Sequence, residues 1–188
     1  MVTYINRSGD TYYLHQGKTK TGKPRYSFSQ KEYGTLVETI PDGYEIYENP
    51  NARVYLRKVS PKIITDEEIL IVKNSVSALS KFEDFKIVVK RNQITIYAPD
   101  RDFETFIEPF KGYATVSYSK MKEVYEKSVY YSEEMRFVLV DKKNREFRVD
   151  RMCYSGEIDW LELDFGDLTE LVKKYCPHLG RESFYELM

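Results

Sequence analysis

The sequence predicts an α+β protein: N-terminal β-hairpins, then a mainly antiparallel sheet packed with two amphipathic helices. Three observations predict it. Short stretches of alternating apolar and polar residues come in pairs across turn residues, as hairpin strands do. Two longer stretches carry apolar residues at helical spacing, and each opens on a capping sequence. Strands and helices do not alternate regularly, which argues against a doubly wound nucleotide fold.

The first hairpin is Thr11-Tyr12-Tyr13-Leu14-His15 with Arg25-Tyr26-Ser27-Phe28-Ser29. Tyr12, Leu14, Tyr26 and Phe28 form its apolar face, and Gly17, Gly22 and Pro24 punctuate the connection. The second pairs Tyr44–Tyr47 with Arg53–Arg57 through Asn49-Pro50-Asn51. Its apolar side is Tyr44, Ile46, Val54 and Leu56; Tyr47, Arg53, Tyr55 and Arg57 take the other. Ser60-Pro61 marks a boundary, so residues 1–62 read as a tyrosine-rich basic hairpin module and 63–188 as an α+β domain.

Beyond the boundary, Thr65-Asp66-Glu67-Glu68 is a capping box, followed by Ile69, Leu70, Val72, Val76 and Leu79 at helical spacing over 66–81. Hairpins follow at Phe85–Val89 with Gln93–Tyr97, and at Met135–Val140 with Glu146–Val149. Ile158–Phe165 alternates as a further strand. Asp167–Glu170 caps a second helix carrying Leu168, Leu171, Val172 and Tyr175, which stops at Pro177. Residues 98–132 carry the weakest pattern: 113–118 alternates, and 119–131 fits helix or strand.

Composition bounds the function. A hydrophobic share of 41% and a charged share of 31% exclude wholesale disorder, and a net charge of -1 excludes a molecule that is a polycation throughout. The charge is unevenly placed. Residues 1–31 carry six cations against Asp10 alone, whereas residues 150–188 carry nine acids against four cations. The N-terminus shows no signal-peptide core and the longest apolar run is Ile69–Val72, so no membrane association and a cytoplasmic setting are expected. Cys153 and Cys176 would then stay reduced, and with His15 and His178 they lack the spacing of a structural zinc site.

Gly17–Lys23 matches the first seven positions of a phosphate-binding P-loop, but Pro24 stands where magnesium needs a hydroxyl, and a strand pattern follows in place of a helix. The same segment nevertheless concentrates charge. Lys18, Lys20, Lys23 and Arg25 lie within eight residues, beside Tyr13 and His15. Ammonium groups neutralise phosphates and exposed rings stack on unpaired bases, a combination suited to single strands or RNA. Tyr47, Arg53, Tyr55 and Arg57 extend that surface if both hairpins lie in one sheet. The competing explanation is a hairpin whose tyrosines cover the core and whose lysines blunt edge strands.

Two resemblances attach to these residues. Ile40–Pro61 resembles part of a WW domain through Pro41, Gly43, Glu45, Pro50–Tyr55 and Pro61. That resemblance implies a twisted hairpin. Tyr44 replaces the first tryptophan of the family, and its second tryptophan, which stacks on proline, has no counterpart. The whole chain resembles a group of microbial proteins with no known activity, through Asn6-Arg7, Gly9–His15, Gly17–Tyr26 and His178–Phe184. It implies common ancestry and no function.

Two enzyme readings compete. Trp160, Glu162 and Asp164 share one strand face, with Asp159 and Asp167 nearby, a carboxylate group that suits magnesium-assisted hydrolysis. His178 and Glu182 are four residues apart beside Cys176 and Ser183, yet one short segment rarely assembles a triad. The reading carried forward is a non-catalytic protein that binds single-stranded nucleic acid or RNA through the N-terminal hairpins, with no catalytic residue, metal or cofactor assigned. The alternative is a protein-interaction or assembly module, including self-association; a metal-dependent hydrolase ranks third.

Overall fold

The computed structural model describes residues 1–111, 117–153 and 160–188. The alternating stretches become antiparallel strands and the periodic ones become helices, giving an α+β fold. By internal contacts the chain divides into two units: Met1–Ser60 with the helix of residues 118–128, and the described residues from Pro61 onward outside that helix.

In the first unit, β1 (Thr3–Ile5), β2 (Thr11–Lys18) and β3 (Pro24–Ser29) form one sheet in the order β1-β2-β3. A separate two-stranded sheet joins β4 (Tyr44–Glu48) to β5 (Val54–Lys58). The three hairpin turns share one chemical device. Asn6 Oδ1 accepts the amides of Ser8 and Asp10 at 3.1 and 2.8 Å, and Asn49 Oδ1 those of Asn51 and Arg53 at 3.0 and 2.9 Å. Thr19 Oγ1 likewise accepts the Lys23 amide at 3.1 Å. Three residues after each polar residue the backbone turns left-handed, at Gly9, Gly22 and Ala52. The P-loop-like segment is therefore a strand end and turn that leads into β3.

Register fixes the faces. Leu14 opposes Phe28, Gln16 opposes Tyr26 and Tyr4 opposes Tyr12, so the tyrosines and Leu14 share one side. Ile46 opposes Leu56 and Glu48 opposes Val54 on the matching side of the second sheet. These two sides meet: Tyr26 packs edge-on against Tyr44 at 6.0 Å, and the Tyr4 hydroxyl donates to Glu48 Oε2 at 3.1 Å. Leu14 and Val54 are buried there. The hairpins thus lie in two facing sheets, not in one.

The second unit is built on a five-stranded antiparallel sheet, in the order β10-β9-β8-β7-β6. Its strands are β6 (Lys86–Lys90), β7 (Gln93–Pro99), β8 (Tyr131–Asp141), β9 (Glu146–Met152) and β10 (Trp160–Asp167). Helices α1 (Asp66–Leu79) and α4 (Leu168–Tyr175) cover one face; α2 (Phe103–Ile107) and α3 (Tyr118–Ser128, the helix of the first unit) arise in the stretch of weakest pattern. The core joins Ile94, Ile96, Met135, Phe137, Phe147 and Val149 from the sheet to Val72, Val76, Leu171 and Val172 from the helices. The expected capping box is present: Glu68 N donates to Thr65 Oγ1 at 3.2 Å and Thr65 N to Glu68 Oε2 at 2.8 Å. Asp167 caps α4 by accepting from Thr169 N at 2.8 Å.

Two features were not anticipated from the sequence. Arg145, left-handed at φ 56° in the β8–β9 turn, reaches Glu68 with Nε at 2.9 Å and Nη2 at 2.5 Å. A bulge between Glu162 and Asp164 then breaks the alternation of β10: Glu162 opposes Asp150, whereas Asp164 opposes core-facing Val149. The strand therefore does not keep Trp160, Glu162 and Asp164 on one face; Asp159 lies outside the described residues, as do most of 113–118. Among the described residues no helix is long and apolar enough to cross a membrane.

Candidate functional site

The basic residues singled out from the sequence occupy the far end of the β2–β3 hairpin. Lys18 opposes Pro24 at the last rung, Gly17 opposes Arg25, and Lys20 and Lys23 lie in the turn between. Thr19 closes that turn by donating its amide to Lys23 O at 2.8 Å. Lys18, Lys20, Lys23 and Arg25 are all exposed, and among the described residues none has an ion pair or side-chain hydrogen bond. Residues 11–31 contain five cations and no acid, so no carboxylate within the finger offsets them.

Tyr13, His15 and Arg25 line the outward face of this sheet, with Tyr13 and His15 half-buried. His15 is engaged locally. Its Nε2 lies 2.9 Å from Lys31 O and its ring sits against Gly34, whose φ of +115° brings that segment in close. The returning chain bridges β2 at His15 and Leu36, with Val37 N donating to Leu14 O at 2.9 Å. His15 therefore clamps residues 31–37 to the sheet edge.

Tyr47, Tyr55 and Arg57 come together on the outward face of the β4–β5 sheet, and Arg53 is an exposed residue just before β5. Tyr47 opposes Tyr55 with ring centroids 6.5 Å apart, and the Arg57 guanidinium stands 4.1 Å over Tyr47. Arg57 Nε also donates to Glu45 Oε1 at 2.8 Å. Because the two apolar faces meet, this outward face and that of the finger point to opposite sides of the unit. The eight-residue basic segment and the second tyrosine group do not form one platform.

The acidic strand disperses its carboxylates. Glu162 pairs with Arg148 at 3.0 Å, whereas Asp164 takes Lys174 at 2.6 Å and the Tyr175 hydroxyl at 3.0 Å. Lys174, the Phe165 amide and Tyr175 hold the Asp164 carboxyl below its ordinary value. Among the described residues no group of three or more histidines, cysteines or carboxylates could hold a metal ion.

At the C-terminus His178 Nδ1 bonds Ser183 Oγ at 2.9 Å. Cys176 is fully buried, and desolvation pushes its thiol up to about 12. A native-state titration with a thiol-specific disulfide reagent at pH 8 should therefore leave Cys176 unmodified and reach half-buried Cys153 alone. Denaturation should expose the second equivalent; two fast equivalents in the native protein would refute the burial.

Comparison of the chain with family models, curated proteins and solved structures found no match.

Proposed function

We propose that the protein is a non-catalytic binder of single-stranded nucleic acid or RNA, and that the β2–β3 finger is the element that engages the strand. The observation that carries this reading is four exposed cations at one hairpin end with no carboxylate partner among the described residues. Lys18, Lys20, Lys23 and Arg25 contact phosphates as point charges and a fork, and Tyr13 offers a ring on the outward face four rungs along from Arg25, roughly 13 Å away. A strand lying along that face meets charge first and an aromatic plate second. A net charge of -1 gives the chain as a whole no pull on phosphates, so the attraction has to come from a local cluster such as this one.

The test is fluorescence anisotropy with labelled single-stranded RNA and DNA over a salt series. Three or four phosphate contacts give a log–log slope of roughly -2 to -3. The double change Lys18→Glu with Lys20→Glu should weaken binding by about ten-fold or more at low salt. Binding that ignores salt, or that survives the charge reversal, eliminates the finger as the contact.

One observation favours a second reading, a protein-interaction or assembly surface on β4–β5. Tyr55, 44% exposed, stacks on Tyr47 with Arg57 above it, and tyrosine and arginine are common interface anchors. Light scattering separates the two: a dimer abolished by Tyr55→Ala supports the surface, and a monomer at all concentrations removes self-association.

A further inference from the structure

The face of the five-stranded sheet opposite the core carries a row of charged residues aligned across three strands. Arg136 on β8 opposes Asp150 on β9, which opposes Glu162 on β10. Asp150 is 1% exposed, and both its oxygens are taken. Arg136 Nε donates to Oδ2 at 2.7 Å; Arg148 donates Nε to Oδ1 at 2.7 Å and Nη2 to Oδ2 at 3.0 Å. The remaining arm of Arg148 meets Glu162 at 3.0 Å.

Arg136 spends only one of its nitrogens in this network. Its guanidinium lies over the Trp160 indole, with Cζ 4.1 Å from the ring centroid. Nη1 and Nη2 have no partner among the described residues, and no side-chain nitrogen that lacks a partner is buried, so both reach solvent. A carboxylate at one edge and an aromatic ring on one face hold the guanidinium still. What is left is a fixed fork of N–H donors in the plane of the guanidinium, next to an indole.

Charge selects the kind of group this fork takes. Arg136 and Arg148 against Asp150 and Glu162 sum to zero, and Glu162, half exposed, stands on the same face. An oxyanion gains one guanidinium there and meets a carboxylate. A neutral planar group with two acceptors side by side gains the fork without that repulsion. Among purines such an edge is the O6 and N7 of a 6-oxopurine, which arginine contacts in bidentate fashion.

We infer that the Arg136–Trp160 pair is a binding site for a purine base bearing acceptors at both position 6 and position 7. Guanine and hypoxanthine qualify. Adenine does not, because its exocyclic amine points a donor at the donors of Arg136. The site lies in the second unit and takes a single base, so it goes beyond the strand contacts proposed for the finger, and either can fail without the other.

Trp160 is the only tryptophan of the chain, so one indole N–H cross-peak in a 15N–1H NMR spectrum reports on the site. Guanosine and inosine monophosphates should shift that peak saturably and with similar affinity. Adenosine monophosphate and 7-deazaguanosine monophosphate, each lacking one acceptor, should bind about ten-fold more weakly. Inorganic phosphate should leave the peak in place. Arg136→Lys keeps the charge and loses the fork, so it should abolish the preference for guanosine over adenosine monophosphate; Lys18→Glu should not affect it. Equal binding of adenosine and guanosine monophosphates, a matching shift with inorganic phosphate, or no saturable shift with guanosine monophosphate overturns the inference on the unaltered protein.

Discussion

Replacing Glu68 by alanine is expected to lower the unfolding free energy by about 3 kcal/mol, measured by urea denaturation. Glu68 is buried at the N-terminus of α1 and serves three donors there. Its Oε2 accepts the Thr65 amide at 2.8 Å and Arg145 Nη2 at 2.5 Å, and its Oε1 accepts Arg145 Nε at 2.9 Å. Alanine breaks the reciprocal cap and leaves a guanidinium with only the Ile63 carbonyl, at 3.3 Å. Arg145 is about one-third exposed and its head regains some water, which holds the estimate at the lower end of the range for buried pairs. Arg145→Met should cost less, since it strands no cation and Glu68 keeps its helix-end amide. A double-mutant cycle over the pair should give a coupling of about 1 kcal/mol or more. A Glu68→Ala protein within about 0.5 kcal/mol of the unaltered chain, the range usual for surface substitutions, would contradict this account.

Asp150→Ala is expected to be of similar size, about 3 kcal/mol by the same measurement. The carboxylate is all but inaccessible and is the shared acceptor of Arg136 and Arg148. Its removal leaves two guanidinium groups, diagonal neighbours on adjacent strands, with only Glu162 to balance them. Asp150→Asn keeps one acceptor and the shape, and should recover part of the loss. The change should also free Arg136 from its position, so the Trp160 emission should shift as the guanidinium departs. Unaltered emission together with unaltered stability would show that Asp150 does not hold the row together.

The strands and helices could be read from the sequence where a single physical signal decided them. Alternation placed Leu14, Tyr26 and Phe28 on one face, and that face is the inward one. Thr65 and Glu68 announced α1 because their cap is a local, two-residue interaction. The β10 bulge could not be read, because an inserted residue leaves Leu161, Leu163 and Phe165 looking perfectly periodic while it turns Asp164 to the core side. Helices α2 and α3 sit in a stretch where apolar and charged residues fit neither period well. At the candidate site, sequence identified the cations at the hairpin end but not the relation between the two hairpins. That relation depends on which apolar face meets which, a tertiary fact. The Arg136–Asp150–Glu162 row was equally hidden: its members are far apart in the chain, and only strand register aligns them.

The back-to-back setting of the two small sheets limits how a long ligand can use them. Facing sheets stand roughly 10 Å apart, so a chain that touched both Tyr13 and Tyr55 would have to bend around an edge of the sandwich. Short oligomers would occupy one side and leave the other vacant. Apparent site size should therefore grow in a single jump with oligomer length.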